Sequence, residues 1–144
     1  NMPWELIGAI HYRESSNNFD TYLHNGQPLG QVTTIVPKGV YFEDWENAAI
    51  DALLSGGRQS IGQDASMEDI ARYAEIYNGL GYRNRGLTSP YVWAGMPNYT
   101  GGMYVRDHVF DQNAMDPRPG VMPIIMALKN NLSDEEETAP APVA

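Results

Sequence analysis

Chemistry in this sequence is concentrated around one carboxylate. Glu14 closes an apolar segment, Trp4-Glu5-Leu6-Ile7-Gly8-Ala9-Ile10, and is followed at once by Ser15, Ser16, Asn17 and Asn18. A carboxyl group held against apolar side chains is poorly solvated, so its pKa rises and it can keep a proton near neutral pH for donation to a leaving oxygen. The plainer reading is a solvated surface glutamate at a helix end. Asp20, six residues on, is the nearest second acid, although an aspartate entering a turn commonly caps it. Glu43 and Asp44 stand where carboxylates favour a helix N-terminus. Thr33 and Thr34 could hydrogen-bond a water near Glu14, though threonine is also an ordinary strand residue. His11 lies four residues from Ser15, and His24 and His108 lie elsewhere, but no Gly-x-Ser-x-Gly elbow accompanies them. Asp107, His108 and Asp111 lack metal-ligand spacing and read as a solvated loop, so no metal or other cofactor is expected.

The elements that must position Glu14 follow from punctuation and periodicity. Pro3 suits the first position of a helix, and the spacing of Trp4, Leu6, Ile7 and Ile10 predicts one over about residues 3–15. The Ser-Ser-Asn-Asn run ends it. Asn25-Gly26 followed by the β-branched run Val32–Val36 predicts a small hairpin or sheet within 19–36. Trp45, Ala48, Ala49, Ala52 and Leu53 predict a helix over about 43–54, stopping at Gly56-Gly57. Ser66 with Asp69 opens a third, carrying Ile70, Tyr73, Ala74 and Tyr77 and ending at Gly79 or Gly81. Residues 82–120 are rich in Gly, Pro, Tyr, Asn and Asp without sustained periodicity, and read as an ordered aromatic loop region. A last helix is expected over about 119–131 from Val121, Ile124, Ile125 and Leu128.

Composition sets the outer limits. The 144 residues suit one domain, expected over 1–132, with 133–144, acidic and then Pro/Ala-rich, a disordered tail or linker. The formal net charge of -9 argues against nucleic acid as a partner, because phosphate binding needs a basic patch. Four of the acidic residues are Asp134 to Glu137, leaving the body only mildly acidic. There is no cysteine, hence no thiol nucleophile or disulfide framework, and no run approaches the ~20 apolar residues of a membrane span. The opening residues carry no signal-peptide pattern and run straight into a helix, as in a module taken from a longer chain. Oligomeric state is not legible.

Motifs then sharpen the reading. His11-Tyr12-Arg13-Glu14-Ser15-Ser16-Asn17-Asn18-Phe19 resembles the Glu-Ser-x-x-x-Phe motif of goose-type lysozymes and soluble lytic transglycosylases, and Tyr77-Asn78-Gly79-x-Gly81 resembles their Tyr-Asn-x-Gly segment, in the same order along the chain. Together with Tyr22-Leu23-His24-Asn25-Gly26, Ala49–Leu53, Tyr82-Arg83 and Ser89-Pro90-Tyr91-x-Trp93, the pattern is similar to phage and bacterial peptidoglycan hydrolases over about residues 4–128. The resemblance implies an α+β, mainly α, lysozyme-like fold with a small sheet and a two-lobed cleft, and a glycosidase acting on peptidoglycan in the periplasm or cell wall, phage-encoded or secreted. It implies Glu14 as acid/base. The Gly-Leu-Met-Gln segment of many lytic transglycosylases is missing, and no second carboxylate stands out. A single-glutamate transglycosylase reaction, leaving a 1,6-anhydro product, is therefore favoured over a hydrolytic lysozyme. A chitin-like glycan as substrate and a non-catalytic glycan-binding or virion module are the other readings. Flat rings and amides suit sugar faces and acetamido groups, so the expected binding residues are Ser15, Tyr22, Tyr77, Asn78, Tyr82, Arg83, Tyr91, Trp93 and Tyr99.

Overall fold

The computed structural model describes the backbone of residues 1–138 and the side chains of residues 1–131. The architecture is α+β and mainly helical. Helix α1 (Trp4–Ser15) buries Leu6, Ala9 and Ile10 and leaves Trp4 exposed. Its end is fixed by Ser16 in the left-handed region (φ 55°), whose N–H bonds the Tyr12 carbonyl at 2.9 Å, while the Asn17 N–H reaches the His11 carbonyl at 3.2 Å. The expected stop at the Ser-Ser-Asn-Asn run is thus a C-terminal cap, and it leaves Glu14 on the last turn. Helix α2 (Trp45–Leu54) begins at Asp44, whose carboxylate accepts the Asn47 N–H at 2.9 Å. Helix α3 (Met67–Asn78) begins at Ser66, whose hydroxyl accepts the Asp69 N–H, and ends at Gly79 with φ 102°.

Two expectations about β-structure exchange places. Residues 19–43 form no strand. A single bridge pairs Thr21 with Pro28, and Asn25-Gly26 makes the expected turn, with the Gly26 N–H on the Tyr22 carbonyl at 2.8 Å. The ladder does not extend, because Pro28 has no N–H to give and side chains satisfy the backbone beyond it. Gln27 Oε1 accepts the N–H groups of Thr34 and Ile35, and Thr33 Oγ1 accepts the Val40 N–H. The hairpin lies instead inside the region read as loop, as β1 (Met103–Arg106) and β2 (Val109–Asp111), antiparallel with an irregular register between Tyr104 and Arg106. Strands of four and three residues are too short to show alternation. An edge-to-face cluster of Tyr82, Tyr104 and Phe110 steadies them, with the Arg85 guanidinium 4.9 Å from the Phe110 ring.

Two short helices, α4 (Gly81–Asn84) and α5 (Pro90–Trp93), also fall in that region. Pro90 at the first turn costs α5 no hydrogen bond. Helix α6 (Val121–Thr138) runs past the expected end at 131 and on through the acidic residues 134–137, and the rest of the expected tail, 139–144, lies outside the described residues. α1 packs on α6 and α3, and α5 on α3 and α6, around Leu6, Ile10, Ile70, Val92, Val121 and Ile125. Among the described residues no helix is long and apolar enough to cross a membrane.

The turn after α1 is tied to the helix end by one close approach. Gly26 sits at φ 81°, and a Cβ added there would lie 2.8 Å from the Glu14 carbonyl oxygen. Gly26→Ala therefore combines left-handed strain with a backbone clash, and is expected to destabilise the fold by about 1–3 kcal/mol. Urea unfolding measures it, and unchanged stability would show that the turn does not brace α1.

Candidate active site

Glu14 is where two cavities meet. One, about 410 Å³, is bordered by Arg13, Glu14, Asn78, Tyr82, Tyr91, Tyr104, Asp107 and Arg118. The other, about 830 Å³, is bordered by Glu14, His24, Ile35, Val36, Asp51, Arg58, Tyr77, Asn78 and Asp107. Glu14, Asn78 and Asp107 belong to both. The end of α1 brings the glutamate there, the end of α3 brings Tyr77 and Asn78, α5 brings Tyr91, and the β1–β2 turn brings Asp107.

The electrostatics of Glu14 are those of a proton donor. Burial pushes its carboxyl from the ordinary 4.5 up to about 7, against the opposing pull of a hydrogen bond from Tyr91 and of the charges on Arg13 and Arg118. Tyr91 Oη donates to Glu14 Oε1 at 3.1 Å. Burial first and the Glu14 charge second hold the Tyr91 phenol well above its usual range, as they do for Tyr77, so both remain donors. Tyr77 Oη donates to the Leu23 carbonyl at 2.5 Å and leaves its ring as cavity wall, 5.0 Å below the Arg58 guanidinium.

The neighbouring cation is prevented from cancelling this effect. Arg13 is buried, and its Nη2 donates to Asp116 Oδ2 at 2.8 Å while Nη1 reaches the carbonyls of Arg118 and Pro119. Asp116 also accepts from the backbone N–H and Nε of Arg118, at 3.0 and 3.2 Å. Burial pushes the Asp116 carboxyl up, but these donors outweigh it and hold the group below its usual value. Two arginines beside Glu14 are thus committed to another carboxylate.

The sequence-derived residues divide. Glu14, Tyr77, Asn78, Tyr82 and Tyr91 come together at the cavities. Tyr82 Oη is occupied, accepting the Tyr104 N–H at 2.9 Å, so it presents ring surface. The others are placed elsewhere for definite reasons. Tyr22 is fully buried, its hydroxyl donating to the Gln31 carbonyl and accepting from the Phe42 N–H. Thr33 is buried, donating to the Pro37 carbonyl at 2.6 Å, and Thr34 accepts from Gln27 Nε2. Asp20 is exposed in a turn where its carbonyl accepts the Leu29 N–H. Ser15 donates to the His11 carbonyl and accepts the Asn18 N–H, a capping role. Arg83 is exposed and pairs with Glu75 at 2.7 Å. Trp93 packs against the core, and Tyr99 braces the Arg13 network, donating to the Gly102 carbonyl and accepting the Asp116 N–H.

Sequence reasoning missed Arg13, Asp116 and Arg118, because Arg13 lies more than a hundred residues from the other two and meets them only on folding. It also missed Asp107, read as solvated loop: exposed it is, but at a hairpin turn bordering both cavities. His11 and Ser15 form no nucleophilic pair, since His11 Nε2 bonds the Asn18 carbonyl at 2.9 Å. His24 pairs with Asp51 at 2.8 Å in the larger cavity. Among the described residues no three His, Asp or Glu side chains gather as a metal site. Compared with known proteins, the chain matches no family model, no curated protein and no solved structure.

Two outcomes follow from this electrostatic arrangement. Between pH 4.5 and 7 an unfolded chain releases the Glu14 proton while the folded chain holds it, so stability falls as pH rises through this window. Glu14→Gln is free of that penalty. It is expected to match the parent near pH 4 and to exceed it by up to about 3 kcal/mol above pH 7, measured by denaturant unfolding at both pH values. Asp116→Asn releases both arginines toward Glu14, and its cost should be about 3–5 kcal/mol, together with a downward shift of the Glu14 titration midpoint seen by NMR. An unmoved midpoint would show that Asp116 does not shape the electrostatics of Glu14.

Proposed function

We propose that this protein cleaves the glycan strands of peptidoglycan at the MurNAc–GlcNAc β-1,4 bond, on a lysozyme-like fold, with Glu14 as acid and then base. One observation carries the reading: a carboxyl raised to about 7 stands at the junction of two cavities, so a polymer passing from one to the other places a linkage beside it. The motifs around Glu14 and Tyr77-Asn78, similar to those of goose-type lysozymes and soluble lytic transglycosylases, agree with the geometry. Acting in the periplasm or cell wall belongs to the same proposal.

The chemistry needs few groups. Glu14 gives its proton to the glycosidic oxygen, the C1–O bond breaks, and positive charge develops at C1 of the MurNAc ring. The glutamate, now a carboxylate, takes the proton of the MurNAc C6 hydroxyl as that oxygen attacks C1. The product is a 1,6-anhydro end, formed without water. Tyr91, hydrogen-bonded to Glu14, fixes the carboxyl's orientation and stabilises its ionised form midway through the cycle. Tyr77, Tyr82 and Tyr104 offer ring faces to sugars, and Asn78 an amide to acetamido groups.

Asp107 supports a second reading, hydrolysis. It is a carboxylate on the wall of both cavities, and in an inverting reaction it would take a proton from water attacking the face of C1 opposite the leaving group. Mass spectrometry of digested cell walls separates the two: 1,6-anhydro ends are expected, whereas reducing ends, lost in Asp107→Asn, would establish hydrolysis. Glu14→Gln is expected to lower the rate at least ~100-fold, and the parent's activity should fall as pH rises through about 7, where the acid loses its proton. Undiminished cleavage by Glu14→Gln would contradict the proposal. Greater activity on chitooligosaccharides than on cell walls would move the substrate to chitin.

A further inference from the structure

The cation on the wall of the larger cavity has a second side. Arg58 stands 5.0 Å over the Tyr77 ring there, and it also borders a separate cavity of about 340 Å³ that Glu14 does not line. Helix α3 forms one wall of that cavity with Asp69, Arg72, Tyr73 and Ile76, spaced so that all four lie on one helix face, and the segment 56–61 forms the other. We infer that this second cavity binds a small carboxylate with an apolar body, its charge held by Arg58.

Arg58 is fixed in place without being neutralised. Its Nη2 donates to the Ala52 carbonyl and, at 3.1 Å, to Ser55 Oγ, closing the end of α2. That duty leaves Nε buried without a hydrogen-bond partner and Nη1 beside Gly56, where an added Cβ would lie 3.5 Å from it. Among the described residues no carboxylate lies within ion-pair distance of Arg58, whereas Arg13, Arg72, Arg83 and Arg118 each have one. In a chain of net charge -9, a guanidinium held in a cavity wall with no acid against it is a place for an anion to dock.

The rest of the wall decides what body the anion carries. Ile61 packs from the core into this wall, and Ile76 lines it while 44% exposed, so aliphatic surface is left to cover. Tyr73 is buried and its hydroxyl donates to the Leu53 carbonyl, so it contributes carbon and no free hydroxyl. A sugar stacks on an exposed flat ring, and none borders this cavity. Asp69 and Arg72 are both exposed, and Arg72 is shared with Glu68 at 3.2 Å. One carboxylate against two guanidinium groups admits a single negative charge and disfavours the double charge of a phosphate. The volume lies at the small end of the ~300–1,000 Å³ range of ligand pockets, which suits a body of a few carbons.

Binding is measured without any glycan. Hexanoate, hexan-1-ol and inorganic phosphate are each titrated into the parent protein while NMR follows the isoleucine methyls and the Arg58 Nε–H. Hexanoate should shift the Ile61 and Ile76 methyls and the Arg58 Nε–H together and saturably. Hexan-1-ol and phosphate should each bind at least about tenfold more weakly, because each lacks one half of the match. Ile76→Ser, at an exposed position, should weaken hexanoate about tenfold, and Arg58→Met should remove the preference for hexanoate over hexan-1-ol. Absence of saturable shifts in the parent would overturn the inference, as would equal affinity for hexanoate and hexan-1-ol or for hexanoate and phosphate, and these comparisons need no variant to fold. Shifts at the Ile35 methyl in place of Ile61 and Ile76 would also overturn it, since the carboxylate would then lie on the other side of Arg58, in the cavity shared with Glu14.

Discussion

The buried ion pair between Arg13 and Asp116 is the constraint on which the site depends. Arg13 and Arg118 are the cations whose charge already pulls the Glu14 carboxyl down, and a guanidinium placed directly on that carboxylate would pull it further toward the ordinary acidic range. Asp116, brought from the far end of the chain, takes the cation instead, and Arg118 with it. Burying such a pair is expensive, and the expense is met by geometry: a short contact, two backbone carbonyls on Arg13, and a backbone N–H with a second guanidinium on Asp116. Burial is then free to act on Glu14 as the largest influence.

The same network fixes shape. Through Arg13 it fastens the segment 116–119 to α1, and through Tyr99 it reaches Gly102 at the entrance to β1. The hairpin turn that carries Asp107 is thereby tied to the helix that carries Glu14. On the opposite side, the turn at Gly26 packs on the Glu14 carbonyl, and Tyr77 binds the carbonyl of Leu23. Glu14 is held from two directions by segments without long regular structure, where it borders two cavities.

How much of this was readable from the sequence depended on range. Local signals were reliable. Asp44 and Ser66 start helices, Gly79 ends one, and the Ser-Ser-Asn-Asn run terminates α1 immediately after Glu14, because capping chemistry is decided within a turn of the helix. The hairpin was misplaced because Val32 to Val36 has strand composition but no partner: side chains of Gln27, Thr33 and Asn25 satisfy its backbone. The true strands, Met103–Arg106 and Val109–Asp111, are too short to register as a pattern. Tyrosines divided for a similar reason. Nothing local distinguishes Tyr22, whose hydroxyl is used up inside the fold, from Tyr91, whose hydroxyl reaches Glu14. The Arg13–Asp116 pairing, across 103 positions, had no local signal at all.

The proposed chemistry depends on the protonation state of Glu14, which can be observed without any substrate. Selective ¹³C labelling of glutamate, with Glu14 assigned through the Glu14→Gln spectrum, gives its side-chain carboxyl shift as a function of pH. A midpoint near 7 is the expected result, with an ordinary midpoint near 4.5 for the solvated glutamates. A Glu14 midpoint at 4.5 would mean that the carboxyl is ionised at neutral pH, and the acid on which the proposed chemistry rests would not exist.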